Sequence, residues 1–348
     1  MMSREIRYSR YAIQIAAVAL ISACWLQPAS AGQTADSAVD AEAAARENWR
    51  AIMAHNPDSE EGCFQASYPS VLWEKVDCKE AHPRVHPAFH KPTNSSDEVV
   101  GNGHDYVAES AGRISETLGT FPKVTGVKAE KSVGVPLFGD GGILGPNEYT
   151  LQINTNFTGT TAACSGHSDC TVWQQFAYAT DYVAKGEAAV FMEYWLLGWG
   201  DTACPSGWES DGEGDCVVNS KLLVAPDVKI TSLGSLTLSA TAITGGNDTV
   251  VFNDGSVAYS VSERDSVLDI SEVWHESEFN VVGDAGGSRA DFNKLVSITV
   301  KVALTDGSTS APTCVANAGS TGETNNLNLG SCSAAGGSSP SIQFTESN

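Results

Sequence analysis

Two stretches crowded with aromatic and aliphatic residues, joined by a short polar turn, dominate the middle of the chain. The first reads V-W-Q-Q-F-A-Y-A-T-D-Y over residues 172–182, and the second reads A-A-V-F-M-E-Y-W-L-L-G-W over residues 188–199. Aromatic and β-branched residues favour strands, and Lys185-Gly186 lies where the chain must reverse. The pattern therefore predicts a β-hairpin.

The polar residues inside these two arms are unusual. Successive side chains of a strand point to opposite faces. One face of the first arm would carry Trp173, Gln175 and Ala177, and the other Gln174, Phe176 and Tyr178; in the second arm Phe191, Glu193, Trp195 and Leu197 would share a face. A Gln beside a Glu among large aromatic rings predicts an aromatic-lined groove. Gln174 and Gln175 both remain candidates for its polar floor.

From residue 101 to the end, short alternating runs separated by Gly, Asn and Asp turns recur without regular intervening helices. Tyr149–Phe157 and Leu295–Leu304 are such runs, and Asn253-Asp254-Gly255 is a typical hairpin turn. This texture predicts an all-β fold, a two-sheet antiparallel jelly-roll-like β-sandwich over residues 101–348.

The sequence predicts the local structure of three segments within this region. A strand is predicted at Val124–Glu130, and a short helix or a long loop at Asp265–Trp274. The Gly- and Ser-rich tail from Ser308 is predicted to be a disulfide-pinned coil that ends in a strand at Ser341–Thr345.

The N-terminus has the pattern of a secretory signal peptide over residues 1–31. Three Arg residues precede an apolar run at residues 12–26, and small residues at 28–31 offer a cleavage site. We therefore expect a secreted or extracellular protein. A less favoured alternative is a lipid anchor on Cys24, which lies in a lipobox-like I-S-A-C, or a periplasmic location.

Residues 32–100 are predicted to form an N-terminal extension and a candidate propeptide. An Ala-rich helix is expected at residues 35–53, and a Pro-rich irregular segment at residues 63–100. His82, His86 and His90 are spaced by four, but Pro83 and Pro87 prevent the helix that would align them. No metal site is expected.

Nine cysteines are present, and eight remain once Cys24 is removed with the signal peptide. They fall in close pairs: Cys63/Cys78, Cys164/Cys170, Cys204/Cys216 and Cys314/Cys332. No C-x-x-C metal motif occurs, so the simplest interpretation is four sequential disulfides that pin loops in an oxidising compartment.

The formal net charge of −22 at pH 7 argues against binding to nucleic acids or anionic membranes. It is compatible with work in acid, where many carboxylates are neutral. After the signal peptide no apolar run reaches the ~20 residues that span a bilayer. We expect a monomer without a cofactor.

Standard nucleophile and nucleotide motifs such as G-x-S-x-G, H-E-x-x-H and the P-loop are missing from the sequence. A second acidic stretch, W-H-E-S-E-F-N-V at residues 274–281, accompanies the Gln/Glu hairpin. If a strand begins there, Glu278 and Asn280 share a face with Val282, while Phe279 and Val281 point into the core.

Several short motifs resemble those of the glutamic peptidases, the eqolisin-like and neprosin-like enzymes, in the same order over about residues 100–305. Ser277-Glu278-Phe279-Asn280-Val281 resembles the A-E-W-I-V stretch around the eqolisin Glu, and Ala290-Asp291-Phe292 follows as A-D-F does there. Gln175 has a small residue two places on, the partner strand F-M-E-Y-W resembles W-Y-E-W, and Leu118-Gly119-Thr120-Phe121 resembles an upstream T-G-T-F turn. The family has Q-T-G where this chain has Q-F-A, and the neprosin-like enzymes use a Glu in that role.

The resemblance implies an acid-acting endopeptidase with a polypeptide substrate. Glu278 would be the general base, and Gln175, with Gln174 as competitor, would stabilise the oxyanion. Glu193 would assist at the site, and Trp173, Trp195, Phe191 and Tyr194 would hold the substrate. Amide hydrolysis needs a base and an oxyanion donor, and a Gln amide donates at every pH.

Two other classes of function fit the same pattern. A carbohydrate-binding β-sandwich without catalysis would need Trp173 and Trp195 exposed and flat. A glycoside hydrolase would need the carboxyl groups of Glu193 and Glu278 about 5–10 Å apart. A secreted structural protein is the alternative without a site.

Overall fold

The computed structural model describes residues 31–81, 105–134, 142–157, 159–212, 214–284, 288–316 and 323–348, with side chains from residue 39 onward. The predicted signal peptide with Cys24, and the three histidines between 82 and 90, lie outside these ranges except for Ala31. The described residues from 43 to 348 form one compact unit, and all contacts below belong to it.

One α-helix, α1, spans Ala31–His55, two residues or more beyond the predicted limits at each end. The strands are β1 Gly62–Ser67, β2 Glu74–Val76, β3 Tyr106–Glu109, β4 Glu116–Thr125, β5 Glu130–Gly134, β6 Gly145–Pro146, β7 Tyr149–Asn154, β8 Thr171–Ala184, β9 Glu187–Leu197, β10 Glu209–Ser210 and β11 Cys216–Asn219. They continue with β12 Leu223–Pro226, β13 Thr237–Ala242, β14 Asn247–Asn253, β15 Val257–Arg264, β16 Glu276–Gly283, β17 Ser288–Phe292, β18 Ser297–Thr305, β19 Thr313–Ala316, β20 Thr324–Asn325, β21 Asn328–Ala335 and β22 Ser341–Ser347.

Two large sheets are built from these strands, and the predicted antiparallel sandwich is confirmed. The first sheet has the order β2-β1-β15-β14-β13-β4-β18-β22-β21. The second has the order β10-β11-β9-β8-β7-β16-β3-β19, with β12 also paired to β9. A small third sheet runs β20-β17-β5-β6.

Aromatic rings from both sheets meet in the layer between them. Tyr178 of β8 stacks on Phe252 of β14 with ring centroids 3.8 Å apart. Phe279 of β16 packs against Phe121 of β4 at 5.0 Å. One face of the second sheet is therefore buried against the first, which leaves its other face for the polar residues described below.

The predicted hairpin is confirmed as β8 and β9, with Trp173 opposite Trp195 and Gln175 opposite Glu193. Its arms are long, and nearly every residue of both is buried. β8 and β9 have neighbouring strands on both sides, so the hairpin lies in the interior of the second sheet.

Three expectations about local structure were wrong. The segment 63–100 is not irregular throughout, because β1 pairs with β15 and β2 pairs with β1 at the edge of the first sheet. The predicted strand Val124–Glu130 is replaced by β4 and β5; β4 runs through Pro122, close to a register shift against β18. The tail after Ser308 contains β19 to β22 rather than coil with one strand.

Asp265–Trp274 contains two short 3-10 helices, Asp265–Val267 and Ile270–Glu272. This is intermediate between the short helix and the long loop that the sequence left open.

The four sequential disulfides are confirmed: Cys63–Cys78, Cys164–Cys170, Cys204–Cys216 and Cys314–Cys332. Such bonds persist in oxidising compartments. Among the residues that the structure describes, the helices are too short or too polar to cross a bilayer.

Gly119 of β4 lies directly against the ring of Phe279, the residue that follows Glu278. A Cβ at position 119 would be 2.2 Å from Cγ of Phe279. We expect Gly119→Ala to lower the free energy of unfolding by about 2–3 kcal/mol, because the ring cannot move within a packed core without strain. Urea unfolding would measure this.

Gly234→Ala is the matched control, since a Cβ there would meet nothing closer than 3.6 Å. Equal stability of the two variants would show that the layer around Phe279 is loose.

Candidate active site

A row of four polar side chains crosses the second sheet on the face that points away from the first. Gln175 of β8 is opposite Glu193 of β9, Asn154 of β7 is opposite Gln175, and Glu278 of β16 is opposite Asn154. Directly opposite residues in antiparallel strands share a face. We call Glu193, Gln175, Asn154 and Glu278 the polar row.

Hydrogen bonds join three members of the row. Nε2 of Gln175 donates to Oδ1 of Asn154 at 3.1 Å, and Nδ2 of Asn154 donates to Oε2 of Glu278 at 2.8 Å. Nε2 of Gln175 also donates to Oε1 of Gln152 at 3.1 Å. Both amide protons of Gln175 are therefore hydrogen-bonded, and a substrate carbonyl would have to displace either Gln152 or Asn154.

The carboxyl group of Glu278 lies in a cluster with two other buried carboxyl groups, those of Asp105 and Glu346. Asn280 donates from Nδ2 to Oδ1 of Asp105 and, at 3.2 Å, to Oε2 of Glu346. Nδ2 of Asn325 donates to both oxygens of Glu346. Asn280 therefore links Asp105 to Glu346, while Glu278 is bonded to Asn154. We call Glu278, Asp105 and Glu346 the carboxyl cluster.

Burial is the main influence on the protonation of this cluster. It raises the pKa of Glu278, against hydrogen bonds from Asp105 and Asn154 that lower the pKa. It raises the pKa of Asp105 well above the usual range, helped by the negative charge of Glu278. Burial also raises the pKa of Glu346 to about 7. The cluster therefore retains protons above the pH at which ordinary carboxyl groups lose them.

Glu193, at the other end of the row, is engaged with its aromatic neighbours. Its Oε1 accepts from Nε1 of Trp195 at 2.9 Å. Three strand spacings of about 4.8 Å place its Cβ roughly 14 Å from that of Glu278. This separation is larger than a pair of glycosidase carboxylates requires.

Trp173 and Trp195 are 0% and 1% exposed, and they pack with Phe157, Leu197 and Val217. The flat, exposed platform that the carbohydrate-binding hypothesis needs is not formed by these residues. They are part of the packing that supports the row.

Gln174 and Tyr194 lie on the opposite face from the row, in the layer between the sheets. Nε2 of Gln174 and the hydroxyl of Tyr194 both contact Sδ of Met192, and both residues are essentially unexposed. Both side chains therefore point away from the polar row. Of the two glutamines, only Gln175 shares a face with Glu278.

Phe191 lines a small pocket next to Gln175 and Glu193. Ala177, Ala179 and Tyr182 complete its apolar side, with Gln152 at its polar side. The volume open to water is about 20 Å³, which is room for about one water molecule. A small side chain or a water fits here without rearrangement.

Asn154, Gln152 and Asp105 were not singled out from the sequence. β7 reads Y-T-L-Q-I-N, in which Thr150, Gln152 and Asn154 alternate with apolar residues. That alternation was the available signal. The sequence around Asp105 gave no such signal, because Asp105 lies near Glu278 only through the pairing of β3 with β16.

The members of the row are 2–5% exposed: Glu278 and Asn154 2%, Glu193 3% and Gln175 5%. A polypeptide backbone reaches them only after part of the chain moves.

Comparisons with known proteins show little beyond a distant likeness. No family model and no curated protein matches the chain. A solved structure of SCP-B, an eqolisin-family peptidase in complex with the tripeptide Ala-Ile-His, is 10% identical with a TM-score of 0.29 and covers 71% of this chain and 98% of its own. The κ-carrageenase of Pseudoalteromonas carrageenovora with a carrageenan tetrasaccharide is 8% identical with a TM-score of 0.24, over 69% of this chain and 66% of its own. At these scores neither match carries an argument about activity, and the site geometry has to carry it.

Proposed function

We propose that this protein is a secreted endopeptidase of glutamic type that acts in acid on polypeptide substrates. The observation that carries the proposal is the hydrogen-bonded series Gln175–Asn154–Glu278 on one face of the second sheet. It combines a carboxyl group, which can act as a base, with a carboxamide that donates at every pH and can stabilise an oxyanion; amide hydrolysis needs both roles.

The steps follow from the chemistry of these groups. The carboxylate of Glu278 takes a proton from a water molecule as its oxygen attacks the carbonyl carbon of the substrate. An N–H of Gln175 donates to the resulting oxyanion, having released Gln152 or Asn154. Glu278 then gives the proton to the amide nitrogen, and the C–N bond breaks.

Asn154 supports both ends of this arrangement. It accepts from Gln175 and donates to Glu278, so it fixes the orientation of the carboxamide and of the carboxylate. Two strand spacings separate Gln175 from Glu278, roughly 10 Å between Cβ atoms. The carboxamide of Asn154 lies between their ends and is bonded to both, so a water and a carbonyl group enter only when these bonds open.

Neither alternative from the sequence has a supporting observation. Trp173 and Trp195 are buried rather than exposed. Three strand spacings, roughly 14 Å between Cβ atoms, separate Glu193 from Glu278, and Oε1 of Glu193 is bonded to Nε1 of Trp195. A peptidase remains the function that the row supports best.

The test is hydrolysis of an unstructured protein from pH 2.5 to 7, with the purified chain both untreated and after incubation in acid. Because the row is buried, we expect cleavage after acid treatment, once the part of the chain that covers the row has moved or been removed. Chelators and pepstatin-like inhibitors should have no effect. A protein that stays inert in both forms across this range would reject the proposal.

Gln175→Ala is expected to reduce kcat by about 10²–10³, the usual cost of losing one oxyanion donor. Kinetics at the pH optimum would measure it. Gln343→Ala is the control, since Gln343 is an exposed carboxamide on β22 of the first sheet. If a folded Gln175→Ala variant is as active as the wild type, the oxyanion donor lies elsewhere.

A further inference from the structure

Asp105 lies outside the polar row and forms a buried carboxyl pair with Glu278, a member of the row. The proposed mechanism gives Asp105 no role. Asp105 precedes β3 directly, and Val107 of β3 is opposite Glu278 in the sheet. Asp105 is 0% exposed, and its Oδ1 accepts from Nδ2 of Asn280. Its Oδ2 is buried and accepts no hydrogen bond from an N–H or O–H of the described residues, and the carboxyl group interacts with that of Glu278. A hydrogen bond between the two carboxyl groups requires one of them to be protonated, because two ionised carboxylates have no proton to share. The oxygen of Asp105 that accepts nothing is where such a proton can lie.

The neighbours of each acid show which one holds the proton. Glu278 accepts from Nδ2 of Asn154 at 2.8 Å in addition to Asp105, and accepted hydrogen bonds favour the ionised form. Asp105 is fully buried, which favours its neutral form, and the negative charge of Glu278, with that of Glu346 where Glu346 is ionised, acts in the same direction. Among the described residues these are the charged groups that act on it, from β16 and β22. The proton therefore belongs on Asp105.

We propose that Asp105 is a positioning residue for Glu278: it stays protonated in the working enzyme and donates a hydrogen bond that holds the Glu278 carboxylate ionised and in a fixed orientation. The proposal rests on the function proposed above. The active form then has Glu278 ionised and Asp105 neutral. Activity begins as Glu278 loses its proton and ends as Asp105 loses its own, and such a pair gives a bell-shaped pH profile.

Asp105→Asn is the decisive variant. The Asn side chain reproduces neutral Asp105, because its Oδ1 can accept from Asn280 and its Nδ2 can donate to Glu278. We expect kcat near that of the wild type at the acidic optimum. The alkaline limb should move up by at least about one pH unit, since the group whose ionisation ends activity is gone.

Asp105→Ala removes the donor. We expect kcat to fall about 10- to 100-fold, as loss of a hydrogen bond to a charged group implies. The acidic limb should move to higher pH, because the Glu278 carboxylate has lost one of the two bonds that favour it. A merely structural role would lower stability in both variants without moving either limb.

A spectroscopic readout separates this proposal from the proposed function. The infrared band of protonated carboxyl groups, followed from pH 3 to 8, should contain a component that persists above the ordinary carboxyl range and is lost in Asp105→Asn. An inert wild type with that component would reject the peptidase and leave the carboxyl pair in place. An active wild type in which Asp105→Asn is folded but dead, or has an unmoved alkaline limb, would overturn the role of Asp105.

Discussion

Replacing Glu278 by glutamine is expected to abolish acid proteolysis and, at the same time, to leave the protein at least as stable at neutral pH. The first effect follows from the loss of the proposed general base, a group that typically contributes about 10²–10⁴ in rate. A Gln amide cannot accept the proton from the attacking water.

The second effect follows from burial. Glu278 is 2% exposed, and burial raises its pKa. At a pH where the unfolded chain has ionised this group, its ionisation costs more in the folded protein, and the folded state is destabilised. A Gln at this position keeps the bond from Asn154 and can donate to Asp105. We expect Tm at pH 7 to rise by a few degrees, as about 1 kcal/mol would cause in a protein of this size, and Tm at pH 3 to be unchanged.

Single-turnover assays and calorimetry of Glu278→Gln at both pH values would measure the two effects together. Glu276→Gln is the matched control, since Glu276 lies on the same strand and face but outside the polar row. A Glu278→Gln variant that is inactive and much less stable at every pH would indicate a structural role. An active variant would exclude Glu278 as the base.

A large loss of stability on going from acid to alkaline pH is the second expected result. Four carboxyl groups meet beside the β8–β9 turn: Glu130, Glu148, Asp181 and Asp227. Glu130 is 3% exposed, and burial with the charge of Glu148 raises its pKa to about 9. Burial and Asp181 raise the pKa of Glu148 to about 7, and burial raises that of Asp227 to about 6.

The sign follows from these raised values. Below about pH 4 both the folded and the unfolded chain hold these protons, so the groups cost nothing. Between the ordinary carboxyl range and pH 9 the unfolded chain releases the protons first, which favours unfolding. Each pKa unit is worth about 1.4 kcal/mol, so Glu130 alone accounts for several kcal/mol of lost stability, a large part of a typical total of about 5–15.

Urea unfolding at pH 4 and at pH 8.5 would measure this loss. Glu130→Gln should remove a large part of it, because a neutral amide replaces the acid with the highest pKa of the four. Glu187→Gln, an exposed carboxyl group on β9, should leave the pH dependence unchanged. If the stability of the wild type does not fall between the two pH values, Glu130 is solvated in solution.

Alternation along single strands was enough to predict much of the site. The spacing of polar residues placed Glu278 and Asn280 on one face of β16 and Phe279 and Val281 on the other, and the core contains the latter two. The hairpin turn also fixed the register that sets Gln175 opposite Glu193. Both inferences need only local geometry, which the sequence carries directly.

The choice between Gln174 and Gln175 could not be made in this way. Both faces of β8 carry aromatic residues, so hydrophobicity does not show which face meets the other sheet. That choice depends on Phe252 of β14, which packs on Tyr178 from a strand far away in sequence. Asn154 and Asp105 were missed for the same reason, since their partners are joined only through non-local pairing.

The resemblance gains one physical detail from the structure. The two stretches that carry it, around Gly119 and around Phe279, are in contact, because the missing side chain of the glycine accommodates the ring. A glycine opposite an aromatic ring determines how two strands pack against each other. It gives no information on catalysis.

The four disulfides have a consequence for how the chain reaches its fold. They close loops of 6, 12, 15 and 18 residues. The strand pairs that define the sandwich instead join distant segments, such as β1 with β15 and β3 with β16. Cross-links within short loops do little to bring such segments together, so the chain must find its long-range partners by diffusion. Slow folding, typical of sandwiches with high contact order, is therefore expected even when every disulfide has already formed.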